Sequence, residues 1–125
     1  MTPGVDNRVL ADSSVWIDHL RRGNDALAAG LDAGIVVMHE SVLGELMLGA
    51  LARGRAAIAD LESLARVSRA SHEEVATLVR AHRLEGLGIG WVDAHLLTSA
   101  VMDGTGILTL DKALMKAARR VGIAQ

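Results

Sequence analysis

Val9-Leu10-Ala11-Asp12-Ser13-Ser14-Val15-Trp16-Ile17-Asp18 sets an apolar triplet against an acid and then opens a helical pattern. The triplet predicts a strand. Asp12 stands where a helix N-cap is wanted, and a helix is predicted over 14–22, closed by Gly23. At the other end of the chain, Ile107-Leu108-Thr109-Leu110 predicts a strand, Asp111 directly follows it, and Lys112 to Val121 predicts the last helix. Between them, Ile35-Val36-Val37-Met38 is apolar and rich in β-branched residues, as a buried strand should be. Further helices are expected over 24–33 ending at Gly34, over 41–53 ending at Gly54, and over 56–64. Another opens on the capping-box spacing of Ser71-His72-Glu73-Glu74 and runs to about Glu85; the loop Gly86 to Gly90 leads into a last internal helix over 92–102. Strands that are near-continuous apolar runs, separated by helices, predict an α/β fold: a three-layer α/β/α sandwich on a central parallel sheet. In such folds ligands bind outside the carboxyl ends of the strands.

Composition narrows what can bind there. The chain has 125 residues, half of them hydrophobic, which is the size of one domain, expected to span 1–125 with residues 1–7 as a loose tail. It has no cysteine, which excludes disulfides and thiolate metal sites and leaves oxygen or imidazole as metal ligands. No apolar leader opens the sequence, and its apolar runs fall far short of the roughly 18 residues that span a bilayer, so a soluble cytoplasmic protein is expected. The net charge of −2 is not that of a non-specific nucleic-acid coat. With Trp16 and Trp91 as the only aromatics besides histidine, contact with nucleic acid must rest on phosphates, shape and chemistry rather than on a row of stacking platforms.

Four acids are candidates for that chemistry. Asp12 and Asp111 follow strands and so share one edge of a parallel sheet. Asp93 lies in the first turn of its helix, on one face with Leu97 and Ala100. Glu45 lies between Val42 and Leu48, three residues to either side, where a glutamate is costly unless it faces a polar cleft or a cation. Each acid also has a plain reading: N-caps for Asp12 and Asp111, a complement to the helix dipole for Asp93, a narrow solvent stripe for Glu45. Several acids aimed at one edge repel one another unless a cation joins them, and caps alone do not explain that convergence.

The segments around these acids resemble the PIN domains of VapC-type toxins. The resemblance rests on Leu10-Ala11-Asp12-Ser13-Ser14-Val15-Trp16-Ile17-Asp18, on Val42-Leu43-Gly44-Glu45-Leu46-Met47-Leu48-Gly49, on Gly90-Trp91-Val92-Asp93-Ala94-His95-Leu96-Leu97 and on Leu108-Thr109-Leu110-Asp111-Lys112. It covers about residues 8–121 in order and spacing. It implies a catalytic and metal-binding quartet of Asp12, Glu45, Asp93 and Asp111, with Asp12 and Asp93 the most direct metal contacts. It further implies Mg²⁺ or Mn²⁺, endonucleolytic cleavage of RNA leaving a 5′-phosphate and a 3′-hydroxyl, a small antitoxin protein partner, and a homodimer. Glu40 is a rival to Glu45. Ser13 and Thr109 offer hydroxyls beside the acids, either as hydrogen-bond partners of the ligands or as local backbone caps.

RNA phosphates need cations from the protein, and Lys112 and Lys116 follow Asp111 on its helix, with Arg119 and Arg120 beyond them. Arg21 and Arg22, and Arg80 and Arg83, are weaker candidates; ordinary solvated faces are the alternative for all of them. The helix from Val42 is apolar almost all round, which marks burial or an interface. Three other functions stand beside the toxin: a receiver-like regulatory domain, which the residues after the first strands fit poorly; a PIN nuclease of RNA maturation; and a PIN-like module without catalysis, against which the four acids count.

Overall fold

The computed structural model describes residues 7–49 and 55–125. The expected tail, Asn7 apart, and the end of the helix predicted over 41–53 lie outside the described residues. Three short parallel strands, β1 (Val9–Ala11), β2 (Val36–Val37) and β3 (Gly106–Leu108), form a sheet in the order β2-β1-β3. Leu10 pairs with Val37 on one side and with Ile107 on the other. Bridges from Met38 to Arg66 and from Ile107 to Ala124 continue the pairing at its margins. Around the sheet lie α1 (Ser13–Arg22), α2 (Asp25–Asp32), α3 (Glu40–Leu48), α4 (Arg55–Glu62), α5 (His72–His82), α6 (Trp91–Asp103) and α7 (Lys112–Val121).

Consecutive residues of β1 point to opposite faces, and all three are buried, so both faces of the sheet are covered. This is the α/β architecture expected from continuous apolar strands. The core gathers Leu10, Trp16, Leu27, Met38, Leu46, Leu97, Ile107 and Leu114 around the sheet. On the amphipathic α7, Leu114, Ala117 and Ala118 face inward. The chain leaves β1 toward β2 on one side and returns with β3 on the other. The crevice of this sheet therefore opens at the carboxyl ends of β1 and β3.

Several boundaries differ from expectation, each for a local reason. The strand predicted through Leu110 ends at Leu108, so Asp111 does not follow it directly. Leu110 donates its amide to Ser14 Oγ at 3.0 Å instead of to a neighbouring strand. Of Ile35–Met38 only two residues pair along the sheet; the Ile35 amide caps α2 through Gly30 O, and Met38 bonds to Ala65. The third helix begins at Glu40 because His39 caps it, and it stops at Leu48, where Gly49 leaves the helical region. The capping box at Ser71 and Glu74 is present, but α5 stops at His82, since Arg83 takes up the left-handed conformation at φ 53°.

Candidate active site

Asp12 is the fixed point of the crevice. It caps α1 through the Val15 amide, at 3.2 Å from Oδ1, and the same oxygen accepts the Ser14 hydroxyl at 2.6 Å. Its other oxygen accepts the Thr109 hydroxyl at 2.5 Å. Thr109 in turn accepts the Asp111 amide at 3.0 Å, and Asp111 caps α7 through the Leu114 amide at 3.0 Å. The cap reading is thus true of these two aspartates, and each cap also fixes its acid at the crevice rim. Asp12 is only 5% exposed, so these donors replace most of its water.

Asp93 reaches the crevice from the first turn of α6. The N-cap there is Gly90, which has no side chain to offer, and the Asp93 carboxylate takes up the Gly90 amide instead. Burial raises the Asp93 pKa above the ordinary aspartate value; the Gly90 bond opposes this, and the charges of Asp111 and Asp12 add to it. Glu45 enters from α3 with one flank open to solvent. Partial burial raises its pKa, the charge of Asp93 adds to this, a hydrogen bond with Ser13 opposes it, and Asp12 adds further. The four acids come from four separate segments: beyond burial, Asp93 and Asp12 make Glu45 harder to ionise, and Asp111 and Asp12 do the same to Asp93.

The donors are all carboxylate oxygens, the hard ligands that Mg²⁺ and Mn²⁺ prefer. Among the described residues no three acids or imidazoles are gathered tightly enough to cage an ion as they stand. Mg²⁺ keeps several of its waters and needs only a few carboxylates, so a complete protein cage is not required of it.

Of the other candidates, Thr109 bonds to Asp12 and Ser13 to Glu45. Glu40 is engaged elsewhere, 2.6 Å from the Arg69 guanidinium. Lys112 and Lys116 lie one turn apart on the exposed face of α7, and neither pairs with an acid among the described residues. Arg120 donates to Arg83 O at 2.9 Å, tying α7 to the end of α5.

Two contributors escape a reading of the sequence. Ser14 reads as the first residue of a helix, yet it links Asp12 to the Leu110 amide. His39, 3% exposed, caps α3 by accepting the Ser41 amide on Nδ1 at 3.0 Å. Burial holds its pKa down; Glu40 opposes this, and His95 and Arg69 reinforce it. Histidine is not a usual capping residue, so only its place between a strand and a helix could have signalled this role.

The PIN domain family model matches residues 9–120. The chain is 38% identical over 117 residues to Ribonuclease VapC32 of Mycobacterium tuberculosis strain CDC 1551 / Oshkosh, covering 93% of this chain and 94% of the relative. The same figures hold for Ribonuclease VapC32 of strain ATCC 25618 / H37Rv. Among solved structures, that of PAE2754 from Pyrobaculum aerophilum superposes with a TM-score of 0.57 at 19% identity, covering 100% of this chain and 91% of that one; this likeness is one of fold.

Proposed function

The chain belongs to the PIN-domain family, and on that premise we propose that it is a VapC-type endoribonuclease, working as the toxin of a toxin–antitoxin pair. The observation that supports the reading most is that, on top of burial, Asp93 and Asp12 push up the Glu45 pKa while Asp111 and Asp12 push up that of Asp93, which links all four acids to the β1/β3 crevice. Identity to a named ribonuclease over nearly the whole chain supports the choice of chemistry.

Asp12, Asp93, Asp111 and Glu45 would hold Mg²⁺ or Mn²⁺, Asp12 and Asp93 most directly. When bound, the metal offsets charge on the scissile phosphate and makes water a better nucleophile. The chain's own residues supply position. Ser14, Val15 and Thr109 lock both Asp12 oxygens, so the carboxylate does not reorganise when RNA arrives. The Glu45 carboxyl, open on one side, orients the attacking water and accepts its hydrogen bond. Attack in line with the leaving 3′-oxygen gives a 5′-phosphate and a 3′-hydroxyl. Lys112 and Lys116 contribute phosphate contacts along α7.

A small antitoxin, a homodimeric assembly, a cytoplasmic setting and a single domain over the whole chain belong to the same proposal. No helix among the described residues is long and apolar enough to cross a membrane. The test is cleavage of total RNA by purified protein freed of any antitoxin. Endonucleolytic products with 5′-phosphates in Mg²⁺ or Mn²⁺, and none in EDTA, are expected. Undiminished cleavage in EDTA, or no cleavage with either metal, refutes it.

A further inference from the structure

Ser14, Ile17 and Arg21 recur at i, i+3 and i+7, which puts them on one face of α1. That face borders a groove of about 310 Å³ lined by Ser14, Ile17, Asp18, Arg21, Arg22 and Leu110. The groove begins at the catalytic crevice, because Ser14 Oγ donates to Asp12 at 2.6 Å and accepts the Leu110 amide at 3.0 Å. From Ser14 to Arg21 it runs about 10 Å along the helix, at 1.5 Å per residue.

Its lining is of two kinds. Leu110 is 56% exposed, an unusual place for a leucine whose backbone is pinned; with Ile17 it offers an apolar wall. The two arginines differ. Arg22 is neutralised by Asp18 at 2.5 Å, which also accepts Asn24 Nδ2 at 2.9 Å. Arg21 has no acidic partner among the described residues. An apolar wall facing a lone guanidinium, opening from a phosphodiester-cleaving centre, matches the two halves of a nucleotide: a base face and a phosphate.

We propose that this groove is the subsite for the RNA nucleotide flanking the scissile phosphate, with Leu110 and Ile17 against its base and Arg21 on its phosphate. The assignment rests on the ribonuclease reading above. It makes Arg21 a binding residue and Leu110 a determinant of the preferred cleavage site, neither of them catalytic.

The test measures binding of a labelled mixed-sequence single-stranded RNA to Asp93→Asn protein, with and without Arg21→Gln, across salt. Loss of one phosphate contact should lower the slope of log Kd against log salt by about 0.7, so the variant should lose about 2.6-fold less affinity than its parent between about 50 and 200 mM salt. In the cleaving protein, Arg21→Gln should raise KM with kcat nearly unchanged, and Leu110→Ser should alter the bases found beside the cut. Arg66→Gln, at an exposed arginine after α4, should leave the salt slope unchanged. If Arg21→Gln keeps the parent slope, or Arg66→Gln lowers it as much, the groove is not the subsite, although the ribonuclease reading stands. If Arg21→Gln weakens only the grip on a protein antitoxin, the groove belongs to that partner and the RNA assignment falls. If the Asp93→Asn protein does not bind RNA and the unsubstituted protein does not cleave it, the ribonuclease reading fails and the groove assignment with it.

Discussion

Thr109→Val removes one oxygen from the centre of the site and leaves its shape. The side chain is 4% exposed, so valine fills nearly the same volume. Two hydrogen bonds disappear: the donation to Asp12 at 2.5 Å and the acceptance from the Asp111 amide at 3.0 Å. A bond to a charged group contributes about 1.5–3 kcal/mol and a neutral one about 0.5–1.5 kcal/mol, so the metal-free protein should lose roughly 2–4 kcal/mol. At this chain length, between the sizes for which the scaling is quoted, each kcal/mol shifts Tm by about 3–5 °C, so the melt in EDTA should fall on the order of 10 °C. Asp12 Oδ1 keeps its bonds from Ser14 and Val15, and Oδ2 loses its hydroxyl. A cation at Oδ2 would partly replace that donor, so the deficit should shrink in excess Mg²⁺ or Mn²⁺. Cleavage should fall while KM changes little, since Thr109 is buried and acts through Asp12. Thermal melts of both proteins in EDTA and in metal are the assay. A variant as stable as its parent in EDTA would show that this bond does not hold Asp12. A deficit unchanged by metal would show that Oδ2 is not a ligand.

The buried His39 accepts the Ser41 amide on Nδ1, and its folded pKa lies below the ordinary value of 6.5. The folded state then binds fewer protons than the unfolded one at mildly acid pH. This contribution to stability is complete above about pH 6.5 and is lost as pH falls toward the depressed folded value; in chemical denaturation across pH, His39→Asn should keep the cap and flatten that segment. A Cβ added at Gly30 would lie 2.9 Å from Val36 Cγ2, so Gly30→Ala should destabilise by about 1–3 kcal/mol in urea unfolding, where stabilisation would refute the packing of α2 on β2. Glu40→Gln breaks only an exposed ion pair with Arg69 and should cost at most about 1 kcal/mol with cleavage intact, whereas Glu45→Gln should abolish cleavage; the reverse pattern in a nuclease assay would make Glu40 the site residue.

The sequence revealed most where one residue type has one strong local reason. Apolar triplets, Asp12 and Asp111 at helix starts, the Ser71 box and the amphipathic α7 were all legible, and together they placed the sheet and its binding edge. Boundaries were less so, because side chains intervene there: Thr109 and Leu110 read as strand until Thr109 bonds to Asp12 and the Leu110 amide to Ser14. Within the site, the four acids were nameable from position and family resemblance. Their repulsion was foreseen in kind, but not which pairs feel it: that Asp93 acts on Glu45 depends on bringing together residues 48 positions apart in the chain. Ser14 and His39 act through contacts that no spacing rule encodes.

Whether four carboxylates share one cation-binding site is decided by melts of parent and Asp93→Asn, each in EDTA and in excess Mg²⁺ or Mn²⁺. Asparagine still accepts the Gly90 amide but cannot repel its neighbours. The parent's folded Asp93 pKa is raised, chiefly by burial, so the folded state binds more protons and the cost of ionising it grows as pH rises through that value. At neutral pH in EDTA the variant should therefore melt above its parent. Metal should raise the parent by mass action and the variant less. A variant that melts below its parent in EDTA, with metal shifting neither protein, would contradict a shared site and leave the acids as separate helix caps.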